Sequence, residues 1–421
     1  LPIEALAQDA LALAGAPAIK EAGVGVFNEK CRSMVSTYVS EWEKTVTRMG
    51  RWVDFKNDYK TMDLTFMESI WWVFAQLWQQ NRVYRAHRIM PYSWKLNTPL
   101  SNFEAGRNYK DVQDPAITIQ LKLNNFEIEA FALIWTTTPW TLPANLAICV
   151  GSDIEYAVVK DLKNQCVYIL AESRIGAYYR DSSEYEYLKK VKGSDLLGLE
   201  YEPIFYDYKD HPNSFKILND DFVSTEDGTG IVHMAPAYGE DDYRICRNAQ
   251  IELVDPLNED CVFTNEIKML AGLFCKDADK IIIKYLKENK KLIHQSTIQH
   301  SYPFCERTDT PLIYRAIDAW YVKVEDLRDR MLMHNKSIHW MPGHVGEKRF
   351  ANWLADAKDW NISRNRFWGS CIPVWINEDD PSDMICISSI EELEKLSNEK
   401  ITDLHKHYLD KIKIYKNGNT Y

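Results

Sequence analysis

The middle of the chain alternates apolar and polar residues with a period of two, and this pattern restricts the fold more than any other feature. From Ile117 to Leu123 every second residue is aliphatic, and the residues between them are Thr, Gln and Lys. This alternation predicts a half-buried strand, and Asn124-Asn125 predicts a turn into a second strand at 126–135. The same alternation recurs on both sides of a polar turn within 156–170. Residues 114 to about 235 are therefore expected to be dominated by β-structure.

Helical periodicity flanks this β-rich region on both sides. One helix is predicted from about 63 to 80, with Asp63 as its cap and a buried stripe formed by Met67, Ile70, Trp71, Phe74, Leu77 and Trp78. A second is predicted from 278 to 291, with Ile281, Ile282, Tyr285 and Leu286 on its buried face and lysines on a solvated face. An Ala-rich helix at 5–19 is expected to end near Gly15 and Pro17, and residues 90–104 are expected to form an irregular connection. A β-rich module inserted into an α/β protein is the predicted architecture.

The composition excludes several classes of protein. With 46% hydrophobic and 12% aromatic residues, the chain can bury enough apolar surface to fold. Its 50 Lys and Arg residues against 61 Asp and Glu residues give a net charge of −11, so any contact with nucleic acid must be local. No apolar run reaches the roughly 18 residues that a membrane span needs, so no membrane partner is expected. Nine cysteines without a Cys-x-x-Cys pair predict free thiols and a cytoplasmic location.

The first segment that could carry chemistry is WTTTPWTLPANLAI, residues 135–148. Thr136, Thr137 and Thr138 precede Pro139, which lacks an N–H group and cannot continue a strand ladder. The segment is therefore expected to expose hydroxyl groups at the end of a strand. Taken alone, a run of threonines is also typical of an ordinary strand and turn.

The second segment is GTGIVHMAPAYGEDDYRIC, residues 228–246. Gly228 and Gly230 allow close approach of the backbone, a short apolar strand leads to His233, and the acidic cluster 240–242 precedes a helix. Carboxylates at such a position commonly cap the helix or interact with its dipole. A lone histidine beside a strand is likewise more often a hydrogen-bonded core residue than a catalyst. Each segment by itself thus fits a structural role.

Together, the two segments resemble the editing-site sequences of isoleucyl-tRNA synthetases, and among these the eukaryotic cytosolic type. Valyl and leucyl relatives carry Thr-Thr-Arg-Pro where this chain has Thr137-Thr138-Pro139-Trp140, and they lack the histidine found here at 233. The resemblance covers roughly residues 50–410. Further segments agree in order and spacing, namely NTPLSNFE (97–104), NYKDVQDPAI (108–117), SYPFCERTDTPLIYRAIDAWYVKV (301–324) and RFANWLADAKDWNISRNRFWGSCIPVW (349–375).

The resemblance implies an α/β fold in which a β-rich editing domain, barrel-like and of α+β type, interrupts a class I catalytic domain of the Rossmann type. The implied editing domain is 114–297, and the partial catalytic segments are 1–113 and 298–421. The implied reaction is hydrolysis of the ester that joins valine to the 3′-terminal adenosine of isoleucine tRNA, which makes this tRNA and a small amino acid the partners. The longer parent protein ligates isoleucine to its tRNA with ATP and Mg²⁺.

By position, the resemblance also implies roles for individual residues. Asp242 holds the α-ammonium of the substrate, Thr136–Thr138 and Asn145 line the hydrolytic pocket, His233 helps to exclude isoleucine, and Trp140 contacts the substrate. A fixed carboxylate suits an ammonium that leaves water, because a charge-assisted hydrogen bond contributes about 1.5 to 3 kcal/mol. No side chain here is an obvious strong base, so catalysis is expected to act by positioning and polarisation, with help from the terminal ribose hydroxyl.

The chain departs from the family in three respects, and the first two bear on the expected activity. The nucleotide-binding signatures expected before Leu1 and after Tyr421 are absent, so we expect a piece of a longer protein that retains deacylation but does not form the adenylate. Relatives hold zinc with cysteines near 93–98 and 305–308, where only Cys305 remains, so neither a metal nor a cofactor is expected for editing. The Ala-rich stretch 5–19 matches no recognisable family pattern.

An alternative of another functional class is a catalytically silent module that binds aminoacyl-adenosine or tRNA without turnover. Binding of a non-hydrolysable valyl-adenosine analogue without deacylation would favour it. A free-standing deacylase is disfavoured, because the catalytic-type segment 349–375 would then have no purpose.

Overall fold

The computed structural model describes residues 2–13 and 15–421, without the side chains of Pro2 and Asn102. The helices are α1 (Pro2–Leu11), α2 (Gly15–Ala22), α3 (Val24–Arg48), α4 (Leu64–Gln79), α5 (Asn102–Ala105), α6 (Ile175–Tyr178), α7 (Gly193–Leu196), α8 (Glu240–Asn248), α9 (Asp279–Glu288), α10 (Arg328–Asn335), α11 (Ala351–Ala355), α12 (Ile390–Ser397) and α13 (Lys406–Leu409). Short 3₁₀ turns include Pro139–Ala144 and Cys275–Ala278, and Val345–Phe350 forms a π-helical turn.

The strands are β1 (Val83–Ser93), β2 (Thr98–Pro99), β3 (Tyr109–Asn124), β4 (Phe131–Thr136), β5 (Ala147–Val150), β6 (Glu155–Asp161), β7 (Val167–Ala171), β8 (Tyr185–Lys192), β9 (Glu200–Tyr201), β10 (Lys216–Asn219), β11 (Ile231–Met234), β12 (Leu292–Pro303), β13 (Ile313–Val322), β14 (Trp360–Asn361), β15 (Val374–Ile376), β16 (Met384–Cys386), β17 (Tyr415–Lys416) and β18 (Asn419–Thr420). Most of the long strands lie in the middle of the chain, as the alternating pattern predicts.

The chain divides into two compact units. One comprises residues 87–317, and the other comprises residues 1–86 together with 318–421. The predicted editing segment 114–297 lies within the first unit, and its boundaries stay a prediction. In the second unit, one apolar cluster surrounds Met67 and Trp71 and another surrounds Phe27 and Cys31.

A large mixed sheet dominates the unit 87–317. Its strands follow the order β12-β3-β9-β10-β5-β11-β4-β7-β6-β8, and β3 also pairs with β4. Because β3 contacts both β9 and β4, the strands β3, β9, β10, β5, β11 and β4 close into a barrel-like ring. The mixed α/β class and the β-rich centre are thus as predicted.

The alternating residues of β3 lie where their pattern predicts. Ile117, Ile119, Leu121 and Leu123 are buried, and β3 pairs antiparallel with β4. Asn125 adopts a positive φ of 61° at the start of the connection, a conformation that asparagine tolerates better than most residues. The second alternating pair also forms, as antiparallel β6 and β7.

The helix predictions are correct in place but partly wrong in face. In α4, Met67, Trp71 and Phe74 are buried, whereas Ile70 is 44% exposed. In α9, the buried residues are Ile282, Ile283 and Leu286, so Ile283 is buried in place of Ile281, which is 38% exposed. Periodicity fixes that a helix has an apolar stripe, but the neighbouring elements decide which edge of the stripe is covered.

Two other predictions are wrong. The Ala-rich helix does not run from 5 to an end near Gly15 and Pro17, because α1 ends at Leu11 and α2 begins at Gly15. Pro17 lies in the first turn of α2, where its missing N–H group costs nothing. Residues 90–104 do not form an irregular connection, because β1 extends to Ser93 and pairs with β2 through Tyr92 and Pro99.

Tyr156 ties the sheet to the loop that precedes β11. Its buried hydroxyl accepts a hydrogen bond from the Gly151 N–H (3.1 Å) and donates one to the Gly230 carbonyl (2.7 Å). We expect Tyr156→Phe to lower the free energy of unfolding by roughly 1 to 3 kcal/mol, because two buried backbone groups lose their partner. Urea unfolding measures this change. Tyr187→Phe is the matched control, since the Tyr187 ring is exposed; equal effects of the two variants would contradict the assignment.

Candidate functional site

The two segments singled out from the sequence meet at one edge of the large sheet. Strands β4 and β11 are parallel neighbours, with Trp135 opposite Val232. Because parallel strands end at the same edge, the threonines that follow Trp135 and the loop that follows Met234 leave the sheet side by side. The register of a single strand pair therefore brings distant parts of the chain together.

The threonine loop is held in a defined conformation. The Thr138 N–H donates to Thr136 Oγ1 (3.1 Å), and the two hydroxyl oxygens lie 3.3 Å apart. On the far side of the loop, the Trp140 N–H donates to Asp279 Oδ1 (2.8 Å) at the start of α9. Burial raises the pKa of the Asp279 carboxyl to about 7, although the Trp140 hydrogen bond opposes this shift.

Asp242 lies in the first turn of α8 and faces the threonine loop across a cavity. Its Oδ2 accepts a hydrogen bond from the Ala235 N–H (2.8 Å). Burial raises the pKa of this carboxyl to about 6, because the charged form loses hydration that its hydrogen bonds to the backbone do not fully replace. Gly239 is needed for this arrangement, since an added Cβ would lie 2.6 Å from Asp242 Cγ.

The cavity between these groups has a volume of about 440 Å³, which suits a small organic ligand. Its lining includes Thr136, Thr137, Thr138, Thr141, Tyr238, His233 and Asp242, together with the loop residues Phe222, Ser224, Glu226, Asp227 and Gly228. Three carboxylates line it, and the described lining residues include neither Lys nor Arg. The site is therefore built to receive a cation.

His233 is held on both ring nitrogens. Nδ1 lies 2.8 Å from Asn145 Nδ2, and Nε2 lies 2.9 Å from Thr141 Oγ1. Burial lowers the pKa of His233 to about 3, so the imidazole is neutral at physiological pH. A neutral ring with both nitrogens engaged forms a rigid wall of the cavity and is not an available base.

Two predicted substrate contacts do not line the cavity. Asn145 lies behind His233, where its amide nitrogen donates to the Ala147 carbonyl (2.9 Å) and its amide oxygen accepts from the Tyr201 hydroxyl (2.7 Å). The Trp140 ring is buried and packs edge-on against Tyr238, with ring centroids 4.9 Å apart. The structure thus brings Thr136–Thr138, His233 and Asp242 together, and places Asn145 and Trp140 one layer behind them.

Sequence analysis missed several residues of the site. Tyr238 contributes its ring to the cavity, and its hydroxyl donates to Asp255 Oδ1 (2.9 Å), which in turn pairs with the buried Arg315. Arg174 holds the loop beside the cavity by donating to the carbonyls of Gly228 (2.9 Å) and Glu226 (2.8 Å). These contacts join segments that are distant in sequence, so no local sequence pattern predicts them.

Other predictions concern metals, membranes and thiols. In residues 2–13 and 15–421, no three His, Cys, Asp or Glu side chains are grouped as metal ligands. Within the same residues, no helix combines the length and the apolar composition that crossing a bilayer requires. All nine cysteines are free thiols, as their spacing predicts.

A family model, a solved structure and two relatives are similar to this chain. The family model described as tRNA synthetases class I (I, L, M and V) matches residues 1–420. The match includes the Ala-rich stretch 5–19, in which the sequence shows no recognisable family pattern. A solved structure, the cytosolic leucyl-tRNA synthetase editing domain of P. falciparum, is 12% identical with a TM-score of 0.33 and covers 43% of this chain and 98% of its own.

Two relatives show the degree of similarity. The chain is 49% identical to the isoleucine–tRNA ligase of Protochlamydia amoebophila, over 100% of this chain and 40% of that protein. It is 47% identical to the cytoplasmic isoleucine–tRNA ligase of Arabidopsis thaliana, over 93% of this chain and 36% of that protein. The chain thus spans well under half the length of these relatives. The bacterial protein is at least as similar as the plant protein, so identity does not favour the eukaryotic type.

The buried carboxyl of Asp242 makes stability depend on pH. Because its folded-state pKa is raised to about 6, its contribution to stability is fully present below about pH 4 and is lost as the pH rises through 6. We expect Asp242→Asn to be nearly as stable as the parent chain at about pH 3.5 and more stable by up to roughly 3 kcal/mol at about pH 7.5. Urea unfolding at the two pH values measures the difference; a difference independent of pH would contradict the desolvation of Asp242.

Proposed function

Because the chain belongs to the class I tRNA synthetases of the isoleucine, leucine, methionine and valine group, we propose that it is the editing region of an isoleucine–tRNA ligase. The proposed reaction is hydrolysis of the ester that joins valine to the 3′-terminal adenosine of isoleucine tRNA. The ligation of isoleucine to tRNA, with ATP and Mg²⁺, is the proposed activity of the longer protein. The sequence identity of this chain to isoleucine–tRNA ligases supports the proposal that the tRNA is that of isoleucine.

One observation carries this proposal, namely that Asp242 and the threonine loop line the same cavity. An aminoacyl ester carries one positive charge, on its α-ammonium group. A partly desolvated carboxylate without a cationic neighbour in the lining is the partner that such an ammonium needs. The three threonines then lie across the cavity from the anchored ammonium, where the ester carbonyl would be.

The proposed chemistry is attack of water on the ester carbonyl. A bond forms between the water oxygen and the carbonyl carbon, and the bond from that carbon to the ribose oxygen breaks. The proton released by water passes to the ribose oxygen, with the neighbouring ribose hydroxyl as carrier. Threonine hydroxyls hold the water and polarise the carbonyl, so the rate enhancement comes from positioning rather than from a strong base.

Selection against isoleucine is assigned to the wall of the cavity. His233 is fixed at both ring nitrogens, so it does not move aside for an extra methylene group. Tyr238 is fixed through Asp255 and Arg315 in the same way. A rigid wall rejects the larger side chain by overlap, a mechanism that needs no charge on the histidine.

The proposal extends to partners and location. Side chains and water suffice for the reaction, so no cofactor or metal is assigned to it, and isoleucine tRNA with its terminal adenosine is the proposed macromolecular partner. Free thiols at all nine cysteines support the cytoplasm as the place of action.

A deacylation assay with valine mischarged on isoleucine tRNA tests the function. We expect Asp242→Ala to lower the rate by at least about 100-fold, because the ester loses its anchor and its alignment. The rate of the parent chain is expected to fall as the pH drops through about 6, where Asp242 becomes protonated. Asp241→Asn is the matched control, since Asp241 is half-exposed and pairs with Arg244 outside the cavity lining.

The outcomes of this assay separate the proposal from its alternative. Full activity of Asp242→Ala would exclude the ammonium anchor. A parent chain that binds a non-hydrolysable valyl-adenosine analogue in calorimetry but does not deacylate the tRNA would be the silent module considered above.

The charge of the cavity generates a further prediction about ligands. Valinamide carries only the ammonium charge, whereas free valine also carries a carboxylate that the three carboxylates of the lining repel. We expect valinamide to inhibit deacylation at least about tenfold more strongly than free valine, a difference of roughly 1.4 kcal/mol. N-acetylvalinamide, which lacks the ammonium, is the control and should not inhibit. Equal inhibition by valine and valinamide would contradict a cation-selective cavity.

A further inference from the structure

A continuous chain of buried hydrogen bonds leads from the interior of the sheet to the threonine loop. The Tyr201 hydroxyl donates to Asn145 Oδ1 (2.7 Å), and Asn145 Nδ2 faces His233 Nδ1 (2.8 Å). His233 Nε2 lies 2.9 Å from Thr141 Oγ1, and the Thr141 hydroxyl donates to the Thr138 carbonyl (2.8 Å). The contact between His233 and Thr141 joins residues that are 92 positions apart in the sequence. Through it, the chain of hydrogen bonds ends on the predicted catalytic loop.

The direction of these bonds follows from the groups that can only accept. The Ala147 carbonyl lies 2.9 Å from Asn145 Nδ2 and has no hydrogen to give, so the amide nitrogen must lie on that side. The same nitrogen faces His233 Nδ1, which must therefore accept. A neutral imidazole that accepts at Nδ1 carries its hydrogen on Nε2.

The tautomer of His233 determines the direction of the hydrogen bonds of Thr141. The Nε2–H of His233 donates to Thr141 Oγ1, and the only hydroxyl hydrogen of Thr141 is directed to the Thr138 carbonyl. Thr141 has no hydrogen left for Thr138 Oγ1, which lies 3.3 Å from it. The contact between Thr138 and Thr141 is therefore a hydrogen bond only with Thr138 as the donor, and a Thr138 hydroxyl that gives its hydrogen to Thr141 presents a lone pair to the cavity.

We propose that Thr141 is a positioning residue for the deacylation and that, directed by Asn145 and His233, it makes the Thr138 hydroxyl a hydrogen-bond acceptor toward the cavity. This inference rests on the proposed function. An acceptor holds a water molecule by one of its hydrogens and leaves a lone pair of the water oxygen free for the ester carbonyl. A donor at the same place would bind one of the two lone pairs of the water oxygen and make the water a weaker nucleophile.

The proposal also gives Asn145 a role different from substrate contact. Asn145 lies behind the cavity wall and fixes the tautomer of His233. His233 in turn acts through Thr141. Neither side chain exchanges a proton with the substrate in this scheme.

Nitrogen-15 NMR of the full chain, labelled at histidine, tests the direction of the hydrogen bonds without any substrate. The signals of His233 are those that disappear in His233→Gln. We expect the Nε2–H tautomer in the parent chain at neutral pH. Tyr201→Phe should leave this tautomer unchanged, because Ala147 still orients Asn145, whereas Asn145→Asp, which has no amide hydrogen to donate, should move the hydrogen to Nδ1. An Nδ1–H tautomer or an imidazolium in the parent chain would overturn the proposal.

Deacylation by Thr141 variants tests the positioning role. Thr141→Val keeps the shape but removes the hydroxyl, and we expect it to lower the deacylation rate by roughly 100-fold with little change in the concentration of mischarged tRNA that gives half the maximal rate. Thr141→Ser should restore most of the activity. Thr118→Val is the matched control, since the buried Thr118 hydroxyl contacts Tyr178 (2.9 Å) and does not line the cavity.

The two experiments distinguish failure of this inference from failure of the proposed function. A parent chain without deacylase activity would refute the function, and the NMR result would still establish or refute the direction of the chain of hydrogen bonds. An active parent chain in which Thr141→Val is as active as Thr118→Val would overturn the positioning role alone.

Discussion

The parallel pairing of β4 with β11 is the interaction on which the site depends. It holds Trp135 opposite Val232 and so sends the threonine loop and the loop before Asp242 out of the same edge of the sheet. A slip of one residue in a strand turns every side chain to the opposite face, so the register is as important as the pairing. The barrel-like closure through β3 fixes that register, because β4 is held from its other side by antiparallel bonds to β3.

The fold could be predicted from the sequence where one local period decides the structure. The alternation in β3 and the stripe in α4 give the correct elements, because burial on one face selects the residues. The same period could not decide whether Ile70 or Ile281 is covered, since that depends on the neighbouring elements. Pro17 predicts the end of a helix, although proline is also common in the first turn of a helix, where the structure places it.

The sequence predicts the chemical groups of the candidate site, but it does not predict which residues line the cavity and which lie behind the lining. The resemblance to the family, carried by two short segments, implied site roles for Thr136–Thr138 and Asp242, and the structure places them on one cavity. Asn145 was assigned to the substrate because a sequence motif does not tell a lining residue from the residue that supports it. Thr141 was missed for the converse reason, since its importance lies in a contact with His233 that no local pattern contains.

The same low-polarity environment gives Asp242 and His233 opposite tasks. Burial disfavours the charged form of both groups, and it lowers the histidine pKa to about 3 and raises the aspartate pKa to about 6. The histidine therefore stays neutral and keeps a fixed tautomer, which a structural wall requires. The aspartate is still ionised at neutral pH, but its negative charge is poorly compensated by the protein. The ammonium group of a bound substrate therefore supplies the compensating positive charge. A cavity that contained an arginine would satisfy Asp242 in advance and leave nothing for the substrate to stabilise.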